Sequence, residues 1–301
     1  MMKRIIAFLL VFCLFGVSAN AQFIYENELD EVLGNLMEDI EEPTVSQTYG
    51  DWSVIAMSQS GYDAGANYFD GYKDRAEEFL QNGSTRKYTD YAIVHLALLS
   101  LGKNPTGAEV FLHDKEMFKR QGVTGCAYAL IAKNNSGDNT EYLNYILQNQ
   151  HTDGGWGLAK ASDGDVTAIV LQALSRYTDK NVDEAIKRGL DYLDGISIEY
   201  SETAAQIVIA MCDLGISPYP MAEKLMTFYK DGYFSHTQDG EINQMSTEQG
   251  SLALTALYKY ERGETLFPSP NKTNSLYNTL ENTKMILIMR NVLKIWGVVI
   301  K

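Results

Sequence analysis

The stretch SDGDVTAIVLQAL, Ser162 to Leu174, sets two carboxylates one residue apart, Asp163 and Asp165, at the head of an apolar run. A carboxylic acid held in an apolar cavity is a group with which an enzyme can protonate an alkene, provided neighbours support and tune it. The same residues also spell a helix start. Ser162 can cap the helix and Asp165, three residues on, can complete a capping box. An acid in a first helical turn gains about 0.3–1 kcal/mol from the macrodipole. Asp51, Asp90, Glu202 and Glu248 fall at similar points of four other segments. That regularity is what helix starts produce, so capping is the preferred reading. Asp163 and Asp165 remain the catalytic pair of the alternative.

Those acids sit in five of six segments that resemble one another: Tyr49–Gly61, Tyr88–Gly102, Gly122–Asn134, Asp163–Tyr177, Ser201–Gly215 and Ser246–Tyr260. Each opens on polar or acidic residues and runs into Ala-Leu or Ala-Met, at intervals that suit a helical repeat. Apolar residues lie almost all round each segment, as in a buried helix. A more polar, amphipathic stretch precedes each: Asn27–Glu42, Gly71–Gln81, Thr106–Arg120, Thr140–Asn149, Val182–Leu193 and Met221–Tyr229. In the fifth, Ala185, Ile186, Leu190 and Leu193 make one stripe and Gly195 a stop. No segment alternates with period two for long enough to be a strand. Six amphipathic helices around six buried ones predict an all-α fold, an (α/α)6 toroid: a closed double-layer barrel without the polar end caps that an open solenoid needs. Closure would gather the acids at one end of a central cavity, beside Trp52, Tyr91, Tyr128 and Trp156. Asp51, Asp90, Glu202, Glu248 and these four aromatics are the candidate ligand-binding residues. The competing expectation is that the aromatics fill the barrel and the acids only cap.

Tyr145-Ile146, Gln150, Gly154 and Trp156 resemble the QW repeat of squalene and other terpene cyclases, and Ser162–Ala168 resembles their Asp-x-Asp-Asp-Thr-Ala motif. The spacing of the Ala-Leu helices is similar to the wider terpenoid cyclase/protein prenyltransferase superfamily. ETAAQIVIAMCDLGISP (Glu202–Pro218), DGYFSH and STEQGSLALTAL look closer to exported bacterial surface proteins with prenyltransferase-like repeats, a branch related to the helical domain of the cobalamin carriers. The resemblance covers about Asn27 to Phe267. It implies the α–α toroid, a packing role for Trp156, and, in cyclases, a general acid at the second aspartate. Here Asp163 and Asp165 take the first two acidic positions, but Val166 replaces the next. Cyclases of this type also carry a second helical domain, for which this chain has no room.

The resemblance also brings zinc to mind, since the prenyltransferases hold it with Asp, Cys and His. Cys126 has no such Asp, Cys212 precedes Asp213 directly, and His95, His113, His151 and His236 are scattered, so neither metal nor cofactor is expected. Cys126 and Cys212 fall at opposite ends of their helices, too far apart for a disulfide, which needs Cα atoms within about 7 Å; free or buried thiols are expected.

Residues 1–21 read as a secretory signal peptide: basic Met1–Arg4, apolar Ile5–Val17 and small Ala19-Asn20-Ala21. The toroid then spans 22–268 and a basic apolar tail 269–301. The whole chain carries net charge −14; without Lys3 and Arg4 the mature part is 23 basic against 39 acidic residues, or −16. Such acidity repels phosphate backbones, so nucleic acid is not an expected partner. The tail, with Arg290, Lys294 and Lys301 on one stripe, can lie on a membrane surface, but packing or truncation is preferred. The leading expectation is a secreted or cell-surface, noncatalytic binding module whose partner is a small molecule or a surface component. The alternatives are a cyclase- or prenyltransferase-like enzyme with Asp165 as acid, and capture of a corrinoid or other small molecule.

Overall fold

A computed structural model describes residues 23–46, 49–82, 85–103, 105–134 and 136–267. The expected signal peptide, 1–21, and the expected basic tail, 269–301, lie outside the described residues. The fold is all-α: among the described residues there are thirteen α-helices and one hairpin of two-residue strands.

Six helices bury more than half of their residues: α2 (Asp51–Ser60), α4 (Tyr88–Ser100), α7 (Gly122–Lys133), α9 (Gly164–Leu174), α11 (Ser201–Leu214) and α13 (Gln244–Glu261). In α11 every residue but Met211 is buried, and the helix stops where Gly215 turns left-handed at φ 67°. Each of the six packs on the next, α2 on α4, α4 on α7, α7 on α9, α9 on α11, α11 on α13, and α13 packs back on α2.

The more polar helices α1 (Glu26–Asp39), α3 (Ala66–Asn82), α8 (Thr140–Gln148), α10 (Lys180–Asp194) and α12 (Tyr219–Met226) alternate with them along the chain. Helix α10 shows why they form. Asp179 accepts from the Asn181 and Val182 amides at 2.8 and 3.1 Å, capping the start, and Val182, Ala185, Gly189 and Leu193 make one buried stripe. Gly189 replaces an apolar side chain because a Cβ there would lie 2.8 Å from the Trp156 ring.

The third polar stretch, 106–120, is not one helix. It divides into α5 (Thr106–Glu109), a 3-10 turn (Phe111–His113) and α6 (Lys115–Lys119). Asp114, in mid-stretch, accepts from the Met117 amide at 3.1 Å and starts a new helix there, as short acidic side chains do by competing for local backbone. The strands β1 (Tyr229–Lys230) and β2 (Tyr233–Phe234) depart from a strand-free expectation. They are joined by Asp231-Gly232 with φ 47° and 79°, the positive values that a two-residue hairpin turn demands. That turn seats on α1, where Asn35 Nδ2 donates to the Gly232 carbonyl at 3.1 Å.

Candidate functional site

Five of the six buried helices begin with an acid whose carboxyl lies in or next to the first turn: Asp51, Asp90, Asp165, Glu202 and Glu248. Most of these carboxyls reach across to a neighbouring helix end. Glu248 on α13 accepts from the Gly50 amide at 2.9 Å and from Ser53 Oγ at 2.5 Å, both at the head of α2. Gly50 is required there: at φ 135° an added Cβ would meet Thr44 backbone at 2.5 Å. Asp51 accepts from Tyr72 OH at 2.6 Å and the Ser46 amide at 3.0 Å, while Ser46 Oγ donates to Asp90 at 2.7 Å, so Ser46 joins the two carboxyls. Glu202 accepts from Ser246 Oγ at the head of α13 and lies 2.8 Å from His236 Nδ1. Asp165 hydrogen-bonds the Thr203 side chain on α11. The junction of α4 and α7 uses Gln121, which accepts from the Thr89 amide and donates to the Arg86 carbonyl, each at 2.9 Å.

Burial sets the electrostatics. Desolvation pushes the Asp51 carboxyl up to about 7, with Glu248 and Asp90 adding repulsion and the Tyr72 and Ser46 bonds opposing. Glu248 is raised by burial against its bonds to Ser53 and Gly50. Asp165 is raised by desolvation and by Asp163 and Glu202, with Thr203 and His236 opposing.

The opening stretch works differently from either sequence expectation. Asp163, not Ser162, caps α9: its Oδ1 accepts from the Val166 amide at 3.0 Å. The Ser162 hydroxyl instead donates to Asp153 at 2.6 Å. Asp165 therefore belongs to no capping box; its carboxyl goes sideways to Thr203. Asp163 is exposed and bound to its own helix, while its charge still acts on Asp165.

The candidate aromatics also divide. Trp156 is fully buried; its indole Nε1 donates to the Ile146 carbonyl at 2.9 Å, and its backbone is held at both N–H and C=O by the Thr167 hydroxyl at 2.9 and 3.2 Å. Gln150 Nε2 ties the same turn to α10 through the Ala185 carbonyl at 2.9 Å. Gln150 and Trp156 of the QW-like motif thus both join neighbouring backbone, with Trp156 fully buried. A second copy of this arrangement precedes α13: Asn243 caps it, and the Thr247 hydroxyl holds the Phe234 backbone as Thr167 holds Trp156. Sequence reading missed it because Phe stands where the motif has Trp; the signal was the shared spacing, a capping Asp163 or Asn243 four residues before Thr167 or Thr247. Tyr91 is buried too, its ring stacked on Phe111 at 3.7 Å.

Trp52 and Tyr128 behave otherwise. They stand on α2 and α7, which both pack on α4, and their rings meet at 6.0 Å. Both are only partly buried, and Tyr128 is close enough to Asp165 to feel its charge. Two aromatic rings and one carboxyl therefore come together at this place, drawn from α2, α7 and α9.

Among the described residues no group of three His, Cys, Asp or Glu side chains could hold a metal, and no helix is long and apolar enough to cross a membrane. Cys126 and Cys212 are free and buried, and burial raises the Cys126 thiol to about 12, far from a reactive thiolate. No profile of a known family, no curated protein and no solved structure matches this chain.

Proposed function

We propose that the chain is an exported, noncatalytic binding module built as a closed (α/α)6 toroid, and that its ligand enters at the acidic end against Trp52, Tyr128 and Asp165. The return of α13 onto α2, stapled by Glu248, supports closure. The observation that carries the binding reading is the Trp52–Tyr128 contact beside Asp165. Partly open aromatic faces with one carboxyl suit a ligand that has an apolar face and a cationic or donor group. The other end acids are occupied by helix-end amides and hydroxyls, which suits a scaffold rather than a proton-delivery cluster.

The catalytic reading has one observation on its side. Desolvation raises Asp165, as a general acid requires. It lacks a supporting acid, because Val166 stands in the next position and Asp163 is turned outward to cap α9. The corrinoid alternative is left to the same test. Purified chain is incubated with squalene and geranylgeranyl diphosphate and, separately, titrated with cobinamide and with panels of glycans and cationic amphiphiles. The expected result is no turnover, together with binding that Trp52→Ala removes while the circular dichroism spectrum stays helical. Cyclised product that disappears in Asp165→Asn would overturn the binding reading, as would binding indifferent to Trp52.

A further inference from the structure

At the opposite end of the buried helices a cavity of about 200 Å³ opens between the C-terminal turns of α4 and α7 and the outer segment 105–113. Its apolar side is Leu99, Pro105 and Leu112; its polar side is His95 and Lys133, with Glu109 exposed at the rim. Lys133 is only 5% exposed, and among the described residues its hydrogen-bond neighbour is the neutral-capable ring of His113, 3.4 Å from Nζ. A buried ammonium without a bonded counter-ion is costly, and burial accordingly lowers its pKa. His95 is 7% exposed and its Nδ1 has no hydrogen-bond partner. Burial drives this histidine down to about 4, so it is neutral at pH 7. A cation with no ion pair among the described residues, on which the Glu109 and Asp138 carboxylates act only from a distance, an unpartnered ring nitrogen and an apolar wall thus line one partly open cavity. The pairing is not accounted for by helix capping: Lys133 gains from the C-terminal dipole of α7, but nothing in capping calls for His95 or for the empty volume.

We propose that this cavity binds a small organic monocarboxylate. Lys133 pairs with the carboxylate, the His95 ring nitrogen bonds a polar group of the ligand, and Leu99, Pro105 and Leu112 take its apolar body. Size follows from volume: a cavity of roughly 150 Å³ accepts benzene, so about six to ten heavy atoms fit here. This site is independent of the aromatic end and of any function assigned there.

The test titrates the full chain with benzoate, with its neutral isostere benzamide and with inorganic phosphate, followed by backbone amide shifts. Benzoate is expected to bind with millimolar or better affinity and to shift amides at 132–136. Benzamide should bind about tenfold more weakly or worse, and phosphate, which has no apolar body, should not bind. Lys133→Met should weaken benzoate about tenfold, and Glu109→Gln, which removes a repelling charge at the rim, should tighten it. Equal affinity for benzoate and benzamide on the native chain would overturn the proposal, whatever the variants do. So would the absence of benzoate shifts at about 10 mM, which would leave a solvent-filled cavity only.

Discussion

The two ends of the buried helices solve opposite electrostatic problems. At the N-terminal end, partial positive charge on free amides invites acids, and five helices supply one each. At the C-terminal end, partial negative charge on free carbonyls invites cations. There Arg176 follows α9 and donates to the Gln172 carbonyl at 2.5 Å and to Asp213 at 3.3 Å, with both charged side chains almost wholly buried. Lys133 ends α7. The acids are short, reach neighbouring helix heads, and are answered by several amides and hydroxyls. The cations are fewer, and one of them, Arg176, is held in a buried ion pair. Charge at the first end is spread over a chain of staples, while at the second it is concentrated, so damage should be graded in the same way.

The largest effect is expected where charge is concentrated. Arg176→Met leaves Asp213 buried without its cation and should cost about 3–5 kcal/mol in urea unfolding. The Arg176→Met/Asp213→Leu double variant should regain most of that loss; if it does not, the pair is more than a compensated charge.

Next comes pH. Burial pushes the folded Asp51 carboxyl up to about 7, above its ordinary value of 3.8. Its contribution to stability is therefore complete below about pH 3.8 and is lost as pH rises through about 7. Native chain should weaken relative to Asp51→Asn across that window by a few kcal/mol, up to about 4. A constant difference between the two melts from pH 4 to 8 would show that Asp51 is ionised throughout and acts as an ordinary first-turn acid.

Within the acidic end, Glu248→Ala strands the Gly50 amide and Ser53 hydroxyl and should cost about 1–3 kcal/mol. Glu248→Gln keeps an acceptor and should cost less. Equal losses would mean that the charge rather than the acceptor joins α13 to α2.

The smallest effect separates the two readings of the opening stretch. Asp163→Ala should cost about 1 kcal/mol by thermal or urea melt, as loss of an N-cap does. Ser162→Ala, whose hydroxyl serves Asp153, should cost clearly less. The reverse order would return the cap to Ser162.

Much of the architecture was legible because it depends on periodicity. Buried helices with no polar face, alternating with striped ones such as α10, announce two layers of helix, and burial of the first kind can only be met by the second. Acids at Asp51, Asp90, Glu202 and Glu248 were likewise readable as helix starts, since a first turn favours them wherever it lies. The break at Asp114 was not readable from the apolar stripe, because one carboxyl bonding one amide leaves the stripe unchanged.

The sequence by itself determined the helical class, the order of polar and apolar helices and the sign of charge at their heads, because these follow from local pattern and the helix dipole. Only the tertiary structure decided which neighbour each side chain meets. It gave the cap of α9 to Asp163, sent Ser162 to Asp153 and Asp165 to Thr203, buried Trp156 and Tyr91, and left Trp52 against Tyr128 across α4. It also brought Lys133 and His95, 38 positions apart by their residue numbers, to the wall of one cavity. Such choices depend on distances between helices remote in the chain and on how far each group is removed from water, and neither quantity is carried by the spacing of residues along the sequence.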